Sequence, residues 1–277
     1  MASKQEALVG PQRIVCLTTE TCEVLYLLGE QARIVGISGY TTRPALARKE
    51  KPKVGAFTSA KIDKILDLQP DLVLTCTDLQ ADIAASLIKA GIEVHAFNQR
   101  SAAQILQMIT TLGALVGASK KALTLVAELE QAITAVRESA ASLPARPRVY
   151  FEEWDEPMIS GIRWVVELIE IAGGVDCFAE LSVQGSARDR VIDSEAVIAR
   201  QPDIIIGSWC GKKFQPEQVI QRPGWQTIPA VENGAIHEIK SADILQPGPS
   251  AIQHGLKQLH AIIQQWSARQ AFNKHWG

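Results

Sequence analysis

Aromatic residues are scarce, at 5% of the 277-residue chain, and neither sign of charge dominates, the net charge being −2 at pH 7. Without a basic excess there is no field to hold nucleic acid or anionic lipid, so no nucleic-acid partner is expected. No apolar run reaches the roughly 20 residues that a membrane span needs. The opening residues, MASKQEALVGPQ, lack a basic segment followed by an apolar stretch, which predicts no signal peptide. The five cysteines, at 16, 22, 76, 177 and 210, form no CxxC pair. They read as single buried thiols acting as small apolar groups, with a slight lean toward a reducing compartment. The five histidines (His95, His237, His254, His260 and His275) show no HxH or HxxxH spacing, and no metal site is predicted. An unconventional set of Cys210 with Glu152 and Glu153 is the alternative. Neither GxSxG, a Walker A motif nor a GxGxxG opening occurs, so no catalytic residues and no catalytic cofactor are assigned and the chain is read as a non-enzyme. A Cys–Glu or Ser–Lys site around Ser160, Ser208 and Cys210, with Lys212 or Lys213 beside the thiol, is the enzymatic alternative, with no histidine near either loop in the sequence.

What is present is a duplication. Residues 63–74 read DKILDLQPDLVL and residues 195–206 read EAVIARQPDIII. Each copy opens with an acid on a short amphipathic helix, stops it with Gln-Pro-Asp, and continues into an aliphatic run. Proline ends the helix because it lacks a backbone N–H and restricts its predecessor. The run behind it reads as a strand buried on both faces, the character of a parallel sheet. Other segments recur in the same order. PQRIVCL (11–17) and RPRVYFEE (146–153) start each half with a strand, EVLYLLGE (23–30) and VVELIEIAGG (165–174) supply helices stopped by glycine, and GIEVHAF (91–97) and GAIHEIK (234–240) supply later strands. His95 and His237 hold matching places in the last two, which suggests structural repetition.

The fold class expected is therefore α/β, two lobes each built on a mainly parallel sheet flanked by helices. Between the halves, Ala118 to Leu143 carries apolar residues at Ala122, Leu125, Val126, Leu129, Ile133, Val136, Ala140 and Leu143. That spacing of three and four predicts one long α-helix bridging the lobes, capped by Ser119 and closed by LPARP. The expected division is an N-terminal lobe at 1–116, a linking helix at 117–144 and a C-terminal lobe at 145–277, with little closure on binding because the link is stiff.

This order of elements resembles the class III substrate-binding proteins of ABC importers, which bind cobalamin, ferric siderophores or haem. The opening RIVCLTTETCEVLYLLGEQARIVGISGYT is similar to the cobalamin-binding members, and the likeness continues through KIDKILDLQPDLVL, SGIRWVVELIEIAGG and the second QPDIII. The resemblance implies a monomer that holds one corrinoid, cobalamin-like, between its lobes for delivery to an ABC permease. Its alternatives are a ferric-siderophore or haem ligand, or a cytoplasmic corrinoid or metabolite carrier. It places the protein in the periplasm if a signal sequence was trimmed, and in the cytoplasm if the sequence is native as it stands. It also implies permease docking by Asp63 and Glu195, the acids that open the repeated helices. A carboxylate there is favoured by the helix dipole and suits pairing with arginine.

Ligands of such folds lie at the C-terminal ends of the strands. Those loops carry the candidate ligand-binding residues Thr19, Glu20, Tyr40 and Phe57 in the first lobe. In the second they carry Glu153, Trp154, Arg163, Trp209, Lys212, Lys213 and Gln246. Tyr40, Phe57, Trp154, Trp164 and Trp209 would wall a flat macrocycle, the alternative being that each Trp fills a lobe core, above all Trp164 inside its helix. EEWDEP sets four carboxylates within Glu152–Glu156 and CGKKF adds two lysines, a density of charge that points to a more polar ligand than cobalamin.

Overall fold

The computed structural model describes residues 10–276, with side chains through residue 272. The opening stretch read for a targeting signal, up to Val9, and the side chain of His275 lie outside the described residues. The chain divides into two compact units. One comprises the described residues up to Gln99 with Ala103–Glu128, the other Arg100–Ala102 and the chain from Leu129 onward.

The first unit is built on β1 (Ile14–Cys16), β2 (Ile34–Ser38), β3 (Lys53–Gly55), β4 (Leu72–Cys76) and β5 (Val94–Phe97), ordered β3-β2-β1-β4-β5 with every pairing parallel. The chain winds outward from β1 to β3, then crosses back to lay β4 on the other side of β1. The C-terminal ends of β1 and β4 thus flank a topological switch point, where open α/β sheets bind ligands. Val15, Leu17, Val54, Ile65, Val73 and Leu87 pack as one buried cluster between this sheet and its helices. That burial explains why β1 and β4 are aliphatic without alternation.

The second unit is built on β6 (Arg148–Asp155), β7 (Met158–Ser160), β8 (Val175–Asp176), β9 (Ile204–Gly207) and β10 (Ile236–Glu238). Its sheet runs β10-β9-β6-β7, with β8 also on β6. All neighbours are parallel except β7, which returns antiparallel on β6. The switch point here lies between β6 and β9.

The Gln-Pro-Asp repeat is the same object in both units. Gln69 and Gln201 each take φ of 46°, a left-handed conformation that ends the helix Ile62–Asp67 or Ser194–Arg200 just before proline. The aspartate then clasps the neighbouring strand. Asp71 Oδ1 accepts the backbone N–H of Arg13 at 2.8 Å, and Asp203 Oδ2 accepts that of Arg148 at 2.8 Å. The arginines reply in kind: Arg13 donates to the carbonyls of Leu68 and Gln69, and Arg148 to that of Arg200. Each clasp fixes where a helix stops and which strand its successor joins.

The lobes are joined by the long helix Ser119–Ala141. Its stripe is buried at Ala122, Leu125, Leu129 and Ile133, as three-to-four spacing requires. Ser119 is the first helical residue rather than the cap before it. Gly113, in the preceding helix Ala102–Leu115, is needed for the close pass: a Cβ there would sit 2.3 Å from the Cβ of Ala122. Cys16, Cys22 and Cys76 are buried as the apolar reading expects, but Cys210 is exposed, because its loop turns out from β9.

Candidate functional site

In the first unit the strand-end loops raise apolar side chains into the open. Tyr40 follows β2 and is 52% exposed, Phe57 follows β3 and is 43% exposed, and Leu79 follows β4 and is 56% exposed. Large apolar groups left exposed mark a binding surface when they cluster. Their loops are held firmly from below. Arg48 Nη1 donates to the carbonyls of Gly39 and Thr41, on either side of Tyr40, at 2.7 and 2.8 Å. Gly39 N–H donates to the carbonyl of Gly55, tying the Tyr40 loop to the Phe57 loop. Gln80 spans three segments: its Nε2 donates to the carbonyls of Leu17 and Phe57, and its Oε1 accepts the N–H of Cys76.

Thr19 and Glu20 open the helix Thr19–Leu27 directly behind β1, under the N-cap Thr18. Both are buried, and Glu20 accepts from Thr19 Oγ1 at 3.2 Å and from Gln99 Nε2 at 3.3 Å. Burial pushes the Glu20 carboxyl above its ordinary range, with its hydrogen bonds pulling the other way.

The charged loops of the second unit have a different meaning from the one the sequence suggested. Glu152 is wholly enclosed and fully satisfied. Arg222 holds it bidentately at 2.6 and 2.9 Å, Tyr150 Oη donates at 2.8 Å and Trp209 Nε1 at 2.9 Å. Glu153 takes Arg190, whose side chain is itself buried, at 2.7 Å. Asp155 takes Lys212 at 2.5 Å, and the Lys212 ammonium lies 5.3 Å from the Trp154 ring and 4.8 Å from that of Trp209. Three of the four carboxylates are therefore neutralised by cations of the same unit. The same pairings engage Glu152 and Glu153, the carboxylates of the Cys210 alternatives.

The structure brings Glu153, Trp154, Trp209 and Lys212 together at the ends of β6 and β9. Trp154 is half-buried, with its Nε1 on the Glu156 carbonyl, whereas Trp209 is 2% exposed and packs edge-on against Phe214. Lys213 is exposed and Gln246 half-buried. Arg163 is exposed and spends its charge on Glu167 at 2.9 Å, one turn along its own helix Arg163–Ile171. Trp164 fills the lobe core, its Nε1 donating to the Ile244 carbonyl. Asp63 and Glu195 both stand exposed in the first turns of their helices. Sequence reasoning missed Arg48 and Gln80, which act on backbone carbonyls that carry no side-chain signal, and Arg190 and Arg222, which lie 37 and 70 residues from the carboxylates they hold. Only the surplus of carboxylates in EEWDEP, which needed cations from somewhere, hinted at two of them.

Two α/β lobes with binding-type loops at their strand ends, joined by one long helix, define a two-lobed ligand-binding protein. The chain belongs to the periplasmic binding protein family, whose model matches residues 14–242. It is 22% identical to a cobalamin-binding protein of Halobacterium salinarum over 91% of this chain and 69% of that one. It is 26% identical to the uncharacterized ABC transporter substrate-binding lipoprotein YvrC of Bacillus subtilis, over 95% of this chain and 83% of its relative. Among solved structures, the periplasmic heme-binding protein RhuT of Roseiflexus superposes with a TM-score of 0.80 at 24% identity, over 93% of this chain and 100% of that one. That likeness shows the fold.

Proposed function

We propose that the protein binds a corrinoid through the strand-end loops of its lobes and hands it to an ABC importer. The observation that carries this reading is the exposed apolar group Tyr40, Phe57 and Leu79, held at the C-terminal edge of the first sheet. A corrin is broad, largely apolar and rimmed with neutral amides, so it asks for flat apolar walls and few charges. The neutralisation of Glu152, Glu153 and Asp155 within their own unit supports it too, because those carboxylates need no cationic ligand. The cobalamin-binding relative supports the same ligand, and the family supports a binding role. Trp154, Lys212 and Gln246 are the second lobe's proposed contributions, with the ring of the inward-turned Trp209 bracing Lys212 from behind, and Thr19 and Glu20 are the polar floor of the first.

One observation favours a second ligand. The Tyr40 phenol is exposed, and a phenolate is an axial ligand for ferric haem. Cyanocobalamin and haemin titrated separately onto wild type and Tyr40→Phe separate the two. The corrinoid reading expects cyanocobalamin affinity to change less than about threefold in the variant, since the ring is kept. Saturable haemin binding with a Tyr40-dependent iron spectrum, and none of cyanocobalamin, would replace it with the haem reading.

Docking follows the same logic. Asp63 and Glu195 occupy equivalent, exposed first-turn positions in the two repeats and are the proposed contacts for permease arginines.

A further inference from the structure

The Phe57 loop is not held by its own hydrogen bonds alone. It leaves β3 at Gly55 and re-pairs at Ala60 through an isolated bridge, with Ala56 N–H on the Ser59 carbonyl at 2.7 Å. A Cβ at Gly55 would lie 2.6 Å from the Ser59 carbonyl oxygen, so the turn is as tight as its backbone allows. Phe57 stands on this turn with 43% of its surface exposed, and its carbonyl points inward to Gln80 Nε2 at 2.8 Å. Gln80 is 1% exposed and sits four residues past Cys76, at the switch point between β1 and β4. There β1 turns away into the helix Thr19–Leu27, and the parallel β1–β4 ladder stops short of joining the Leu17 carbonyl to the Cys76 N–H. The Gln80 amide fills that gap, donating to Leu17 at 3.2 Å and accepting from Cys76 at 3.0 Å. Two carbonyls on one side and one N–H on the other admit only one orientation of the amide. The approach to Gln80 passes through Thr77, held at φ 45°, a cost that a well-bonded neighbour offsets.

We infer that Gln80 is a positioning residue of the ligand site: its buried amide anchors the Phe57 loop to the switch point and thereby fixes the ring that walls the ligand. The inference rests on the corrinoid reading for the ligand's identity, though not for the anchoring itself. A ring set before binding spares the ligand the entropy of ordering it, so loss of the anchor shows as weaker binding that runs through Phe57.

Gln80→Met keeps the length and removes every bond. Gln80→Glu keeps an acceptor for Cys76 but no longer donates to Phe57, and it carries the test if the methionine variant does not fold. Cyanocobalamin affinity is measured by calorimetry for wild type, the Gln80 variant, Phe57→Ala and the double variant. The expected result is a loss of about tenfold from the Gln80 change in the wild-type background and less than about twofold in the Phe57→Ala background. Equal losses in both backgrounds, or no loss in either, overturn the inference. Hydrogen exchange without ligand supplies a second readout: residues 55–60 should exchange faster in the variant while β2 and β5 keep their protection. If wild type fails to bind cyanocobalamin, the corrinoid reading falls and this second readout still decides on the anchor. Unchanged exchange at residues 55–60 then overturns it.

Discussion

Asp176 is a carboxyl in uncomfortable surroundings. It ends β8 almost fully buried, its Oδ1 accepts the Phe178 N–H at 2.8 Å, and its Oδ2 has no hydrogen-bond partner. Burial pushes its carboxyl from 3.8 up to about 7, against the pull of that backbone bond. A carboxyl whose folded pKa is raised favours the folded state below its unfolded pKa. The stability it gives is lost as pH rises through the folded value. The window runs from about 4 to about 7. Asp176→Asn should therefore flatten the stability curve there and leave the variant roughly 2–4 kcal/mol more stable than wild type at pH 8, by urea denaturation. At pH 4 the two should be close. Glu152 is the opposite case, a carboxylate enclosed with all its partners. Removing only its cation, by Arg222→Ala, leaves a buried charge uncompensated and should cost about 3–5 kcal/mol. A loss below about 1 kcal/mol would show the pair to be dispensable.

At the scale of elements, each repeat sets one acid against a neighbouring strand and leaves another exposed. Asp71 and Asp203, just past the helix ends, clasp strands, whereas Asp63 and Glu195, in the first turns of the helices, are exposed. Asp203→Ala is expected to lower stability by about 1–3 kcal/mol through the lost strand clasp. Asp63→Lys with Glu195→Lys is expected to leave stability and ligand affinity within error. It should abolish stimulation of the importer's ATPase in proteoliposomes; unchanged stimulation would remove both residues from the docking surface. The elements themselves were legible because burial on both faces wrote itself into DLVL and DIII, and because proline and glycine punctuated the helices. The left-handed Gln69 and Gln201 were not, since glutamine has no general preference for that conformation; the following proline and the Arg–Asp clasp select it here. The candidate site was legible only in its exposed half. Tyr40 and Phe57 follow short strands directly, so their place could be read from strand ends. Trp209 reads alike in sequence and turns inward, because Glu152 accepts its indole N–H. The cations that neutralise EEWDEP come from Arg190, Lys212 and Arg222, up to 70 residues further along, which no local pattern announces.

At the scale of the whole molecule, the chain joins two switch-point sheets by one helix, and each sheet presents its loops at the carboxyl ends of its strands. The central claim is that these loops bind a corrinoid. Purified protein, stripped of any bound ligand by unfolding and refolding, is titrated with cyanocobalamin and with cobinamide by isothermal calorimetry. The account predicts one saturable site per chain for cyanocobalamin, weakened about tenfold or more when Tyr40 and Phe57 are both replaced by alanine. Absence of binding to either corrinoid, or binding indifferent to both aromatic residues, would contradict it.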